Sequence, residues 1–203
     1  MIPDNDPTLA RHELVGTLVH DVIASLAKTT RSPHIPEILA AAERSVPHLE
    51  PNEGRAHKQN IAGLTASYFH RLVPNDAWRF AGAEKHLGIG RIDLLWEHPR
   101  GDLLIDELKA GQASFFGTTA HHAQARRYLI DGRTAYGPRL RAVRLLCLTD
   151  HSRSLLFHDP AGPPVPLGVP GARPSRPATA PAARHDPAIA PGTGRWTFTA
   201  TAR

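Results

Sequence analysis

Two strand-length runs joined by a tight turn constrain this chain more than any other stretch. Residues 90–111 read GRIDLLWEHPRGDLLIDELKAG. Gly90–Glu97 and Asp102–Lys109 are rich in strand-forming residues, and HPRG at 98–101 supplies turn chemistry between them, so a hairpin is expected. Alternate residues of a strand share a face, which projects Glu107 and Lys109 together. With pairing around the turn, Asp93 falls opposite Glu107 or one residue away, depending on register. A single hairpin then brings two carboxylates and an ammonium into one pocket. Leu104 and Leu108 face the other way, into an apolar layer, and Asp106 between them breaks that pattern.

Each of these residue types has a chemical use in such a pocket. Two carboxylates hold a hard divalent cation, and Mg²⁺ favours a few carboxylates together with water and substrate phosphate oxygens. A cation so held lowers the pKa of bound water and offsets charge developing on phosphorus. A neighbouring lysine orients that water or stabilises the charge. By itself, the spacing of Asp93, Glu107 and Lys109 is a weak signal, because a hairpin salt bridge explains it more cheaply.

Helix-period patterning precedes the hairpin. Residues 8–28 set Leu14, Val15, Leu18, Val19, Val22, Ile23 and Leu26 on one helical face. A second helix is expected over about 36–46, entered through Pro36. A third, over about 53–72, is expected to be capped by Asn52 and striped by Ile61, Leu64, Tyr68 and Leu72. Trp78–Glu84 reads as a strand before the hairpin. A helix over about 118–135 and the strands Ala142–Leu148 and Arg153–His158 follow it. This order describes an α/β layer fold in which helices flank a small mixed sheet.

Composition excludes several classes. One cysteine, Cys147, in the apolar run VRLLCL, rules out an intramolecular disulfide and a four-cysteine metal site, and reads as a buried core residue. No apolar run reaches the roughly 18 residues of a membrane span. The first residues lack an export pattern, so a cytoplasmic protein is expected. The net charge of +5 is uninformative about partners. Five arginines and one acid fall after residue 159, leaving 19 basic and 18 acidic residues before it. That terminal stretch, 160–203, holds ten of the nineteen prolines and is expected to be extended or disordered, its final WTFTATAR hanging free rather than docking as an edge strand.

The neighbourhood of the hairpin is more specific than the triad. Glu84 precedes Gly90-Arg91-Ile92-Asp93, then comes Glu107-Leu108-Lys109, then Gln124-Ala-Arg-Arg-Tyr128 on a helix, where i and i+4 share a face. In this order the residues resemble the RecB-type branch of the PD-(D/E)xK nuclease superfamily. The resemblance implies a restriction-endonuclease-like core over residues 51–159, preceded by a helical extension at 1–50. It implies Mg²⁺- or Mn²⁺-dependent hydrolysis of DNA, with Asp93, Glu107 and Lys109 catalytic. Asp93 and Glu107 would be metal ligands, with His57, in EGRAHKQN, as a further one. Gln124 and Tyr128 would support substrate or pocket.

Glu84 reads as structural, pairing with Lys85 or a backbone donor. His121 and His122 read as solvent-exposed. Iron–sulfur cysteines are absent, so no cluster is expected. No phosphate-binding loop of a helicase is visible, so unwinding would fall to a helicase or other protein partner. Arg126, Arg127, Arg133, Arg139, Arg141 and Arg144 suit either phosphate contacts or a solvated surface. A noncatalytic nucleic-acid-binding or assembly module on the same fold is the alternative reading.

Overall fold

The apolar stripe of the first helix has two neighbours to bury it. In the computed structural model, which describes residues 7–46, 51–88, 90–110, 116–149, 152–160 and 162–167, α1 (Pro7–Ala27) packs with α2 (Ile35–Ser45) and α3 (Pro51–Ser67). Val19, Ile23, Ile38, Ala42 and Ile61 are fully or almost fully buried among them. The entry to α2 is held by Glu37, whose Oε2 accepts the His34 N–H at 2.7 Å. α3 starts at Pro51, so Asn52 lies within the helix rather than before it, and its side chain is outside the described residues. At its end α3 widens into a π-helical turn, Tyr68–Leu72, where the Val73 N–H reaches back to the Tyr68 carbonyl at 2.9 Å.

Five strands follow, in the sheet order β1-β2-β3-β4-β5. They are β1 (Arg79–Leu87), β2 (Gly90–Glu97), β3 (Leu103–Lys109), β4 (Leu140–Cys147) and β5 (Arg153–His158). β1, β2 and β3 are antiparallel; β3 and β4 are parallel, joined through α4 (Thr119–Tyr136); β5 returns antiparallel to β4. The parallel step is what a crossover helix permits. The expected turn is present, with the Gly101 N–H on the His98 carbonyl at 2.8 Å.

Strand alternation divides the core into two layers. Leu94, Trp96, Leu104, Leu108, Ala142 and Leu146 meet α1, α2 and α3. Leu95, Leu103, Ile105, Val143 and Leu145 meet α4. Cys147 is buried, as expected. Among the described residues no helix is long and apolar enough to cross a membrane.

Asp106, the misfit of the β3 pattern, sits fully buried in the first layer. Its Oδ1 accepts from Arg144 Nε at 2.7 Å. Its Oδ2 accepts from Arg144 Nη2 at 2.6 Å, Tyr68 Oη at 2.9 Å and Trp96 Nε1 at 3.0 Å. Four donors satisfy a carboxylate that would otherwise be costly to bury. Arg144 is therefore a core residue and not a surface phosphate contact.

Other arginines of that group face acids of the body: Arg127 pairs with Asp131, Arg133 with Asp159 and Arg139 with Glu97. Arg141 donates to the Pro163 carbonyl at 2.9 Å.

Beyond β5, residues 162–167 form neither helix nor strand and pack against the body. Val165 and Leu167 pack on the first layer, and the Pro166 carbonyl accepts from Trp78 Nε1 at 3.1 Å and Asn75 Nδ2 at 2.9 Å. The sequence WTFTATAR lies outside the described residues.

Candidate active site

β2 and β3 pair with Leu94 opposite Asp106. Carrying that register one residue further sets Asp93 opposite Glu107. There the ladder is replaced by a side chain: Asp93 Oδ2 accepts the Leu108 N–H at 2.6 Å. That bond fixes the Asp93 carboxylate over the end of β3.

Glu107 and Lys109 project together, as their spacing requires, with Lys109 Nζ 2.8 Å from Glu107 Oε1. α4 completes this arrangement. The Gln124 amide bridges the pair, its Oε1 accepting from Lys109 Nζ at 2.9 Å and its Nε2 donating to Glu107 Oε1 at 2.8 Å. One helical turn on, Tyr128 Oη accepts from Gln124 Nε2 at 3.3 Å and donates to the Arg91 carbonyl at 2.9 Å. Tyr128 crosses directly above Gly90, where a Cβ would fall 2.7 Å from the ring. Glycine at 90 is thus a matter of space. Thr118 caps α4 by accepting the His121 N–H.

Five of the six residues expected at the site are brought together: Asp93, Glu107, Lys109, Gln124 and Tyr128. His57, on α3, is not among the residues that gather there. The histidine beside the carboxylates is His20 of α1, its Nδ1 3.2 Å from Asp93 Oδ1. Ligand atoms of His20, Glu84 and Asp93 all lie within 4.8 Å of one another. Glu84 thus lies beside Asp93 and His20. It is aligned with Asp93 by the pairs Ala83↔Leu94 and Lys85↔Ile92, and its salt bridge is to Arg91, not Lys85.

His20 had no signal of its own in the residue order: it falls beside the apolar stripe of α1, and the packing that brings Gly16 near Ala110, just past Lys109, sets it next to Asp93. Glu84 had none either, because its position depends on a backbone bend. β1 carries an irregularity between Phe80 and Gly82, and Glu84 itself has φ of 53°. Left-handed backbone at a non-glycine residue is sparsely populated and clusters at functional sites. His121 is half-buried rather than exposed, with Nδ1 shielded from solvent, and burial lowers its pKa, with the charge of Lys109 adding to the effect.

The electrostatics are those of charges forced together. Burial, and then the charge of Asp93, push the Glu107 carboxyl up to about 7 despite Lys109 beside it. For His20, burial is the largest influence and opposes the charged form. The hydrogen bond and charge of Asp93, with the charge of Glu107, together outweigh it and raise the pKa. Glu107 Oε2 is buried with no hydrogen-bond partner among the described residues.

A family model for the PD-(D/E)XK nuclease superfamily matches residues 2–156. The chain belongs to that superfamily. No curated protein and no solved structure matches it. The matched range includes α1, and with it His20. The five-stranded sheet flanked by helices is the restriction-endonuclease-like fold expected of the superfamily.

PD-(D/E)XK nucleases depend on a divalent metal, and the donor set of this member fits one. A buried carboxylate oxygen on Glu107 with no partner among the described residues, a second carboxylate opposite it and an imidazole nearby form a donor set that a hard divalent cation would fit.

Proposed function

We propose that this PD-(D/E)XK protein is a RecB-like deoxyribonuclease that hydrolyses phosphodiester bonds with Mg²⁺ or Mn²⁺. The observation that carries the reading is the convergence of Asp93, Glu107, Lys109 and Gln124, with Glu107 Oε2 buried and without a hydrogen-bond partner among the described residues. A buried carboxylate oxygen left unsatisfied costs about 1–3 kcal/mol or more. Such a cost is expected where a bound cation removes it.

Asp93, Glu107 and His20 would hold the ion, with Glu84 within reach. When bound, the ion supplies an activated water and a counter-charge for the phosphoryl oxygens. The chain's own residues do the rest. Lys109 is clamped between Glu107 and Gln124, so its ammonium has a fixed position from which to orient the attacking water and to meet negative charge growing on the phosphate. Gln124 gives the ammonium a second acceptor beside Glu107. Tyr128 ties α4 to the backbone of β2, so that the clamp and the Asp93 strand move as one body. DNA as substrate, and a helicase or other protein as partner, come with the RecB-like part of the proposal.

The test is cleavage of labelled single- and double-stranded DNA and of RNA with Mg²⁺ or Mn²⁺, comparing wild type with Glu107→Ala and Lys109→Ala. Loss of more than about a hundredfold in both variants, some 2.7 kcal/mol of barrier, is expected. Wild type and variants behaving alike would refute the assignment. If calorimetry then also found no carboxylate-dependent cation binding, a noncatalytic nucleic-acid module would stand in its place.

A further inference from the structure

Beside the triad lies a cavity of about 340 Å³ lined by Thr17, His20, Asp21, Glu84, Arg91 and Asp93. Three of these are carboxylates, which is a poor surface for a phosphodiester to approach. Arg91 is the one arginine or lysine in the lining, and its guanidinium is bound to Glu84, with Nε 2.5 Å from Oε2. Its side chain is nonetheless 61% exposed, and a guanidinium carries five N–H donors, more than one carboxylate oxygen uses. Its backbone is held in place from behind by Tyr128 Oη on the Arg91 carbonyl.

Glu84 faces two ways. One oxygen engages Arg91, while a ligand atom of the same carboxylate lies within 4.8 Å of both Asp93 and His20. The Glu84 backbone is left-handed, with φ of 53°. Such a conformation costs of order 1–2 kcal/mol for a residue with a Cβ.

We propose that Glu84 is a shared carboxylate that couples cation binding to substrate binding. Without a cation it neutralises Arg91. With a divalent cation at Asp93 and His20, Glu84 turns to the ion, and Arg91 is released to bind a backbone phosphate of the substrate strand. The inference rests on the nuclease reading and adds to it a phosphate-binding residue with a built-in gate. It gives the site an order of events: acidic walls repel a phosphate until the ion has arrived, and the arginine becomes available at that moment. By linkage, substrate held on Arg91 tightens the ion in turn.

The experiment is fluorescence anisotropy of a labelled single-stranded oligonucleotide, in EDTA and in Ca²⁺, with wild type, Arg91→Ala, Glu84→Gln and the double variant. Gels check that the DNA stays intact, and calorimetry follows Ca²⁺ and Mn²⁺ binding separately. In EDTA, Arg91→Ala should weaken DNA binding far less than in Ca²⁺, because Arg91 is already occupied by Glu84. In Ca²⁺ it should bind about tenfold more weakly, with its salt-dependence slope smaller by about one. Glu84→Gln should bind DNA several-fold more tightly than wild type in EDTA, and the double variant should lose that gain.

Two results overturn the proposal alone: Arg91→Ala weakening DNA binding equally with and without Ca²⁺, or the Glu84→Gln gain persisting without Arg91. An Arg91→Ala protein indistinguishable from wild type in Ca²⁺ also overturns it. If wild type binds neither Ca²⁺ nor Mn²⁺ by calorimetry, the coupling falls; cleavage of DNA with Mg²⁺ or Mn²⁺ then decides the nuclease reading separately. Arg91→Lys separates fold from function, since it keeps the charge but loses the planar fork, and should lie between wild type and alanine.

Discussion

Replacing Glu107 with glutamine should make the metal-free protein more stable at pH 8 while abolishing the cleavage proposed for it. The Glu107 side chain is 4% exposed. Burial, and then the charge of Asp93, raise its carboxyl from an ordinary 4.5 to about 7, with Lys109 and His20 pulling the other way. Between these two values the folded protein holds a proton that the unfolded chain has already released. Stability therefore falls as pH rises through that window, and the loss is complete above it. At about 1.4 kcal/mol per pKa unit, the full loss approaches ~3 kcal/mol. Glutamine never ionises and keeps an oxygen for Lys109 and Gln124, so it avoids most of that cost. A gain of about 2 kcal/mol at pH 8 and close to none at pH 4.5 is expected, or roughly 4–8 °C in Tm at the higher pH. Urea unfolding in EDTA at both pH values measures it. Saturating Mg²⁺ should then erase the advantage, because the ion stabilises wild type by mass action and the variant far less. A variant that is less stable than wild type at pH 8, or whose gain is the same at both pH values, would refute the reasoning.

Further outcomes follow from other contacts. Arg144→Ala strands the Asp106 carboxylate in the core and should cost about 3–5 kcal/mol in chemical denaturation, whereas Asp106→Leu with Arg144→Leu should recover much of that loss. Gly90→Ala places a methyl 2.7 Å from the Tyr128 ring and should lower cleavage at least tenfold with a small change in Tm, since it displaces the Tyr128–Gln124 brace rather than the core; unchanged cleavage would show that the brace is dispensable. His20→Ala should weaken divalent-cation binding at least tenfold by calorimetry, while His57→Ala leaves it unaltered; the reverse result would return the role to α3. Acidification from pH 8 to 6 should weaken cation binding in wild type, since protonation of Glu107 and His20 competes with the ion.

Much of this architecture was legible in residue order. Period-2 patterning around His98–Gly101 fixed a hairpin, a hairpin aligns residues equidistant from its turn, and alternation put Glu107 and Lys109 side by side. The i, i+4 spacing of Gln124 and Tyr128 likewise required a shared helical face. These are consequences of short-range geometry, which sequence spacing encodes directly.

What residue order left open were matters of long-range packing. Asp106 looks like an error in an apolar stripe until Arg144, Tyr68 and Trp96 arrive from three other elements to satisfy it. His57 and His20 are both helical histidines ahead of the sheet; only the packing of α1, with Gly16 passing close to Ala110, selects His20. Glu84 reads as an ordinary strand residue because neither the irregularity in β1 nor a left-handed φ is written in its own identity. Arginines on β4 and α4 divide between core and surface according to which acids fold against them. The sequence by itself determined the hairpin, the triad and the order of elements, since those follow from periodicity within one or two strands. The tertiary structure alone decided which charges meet across elements, because a buried charge is tolerated only where distant donors converge on it.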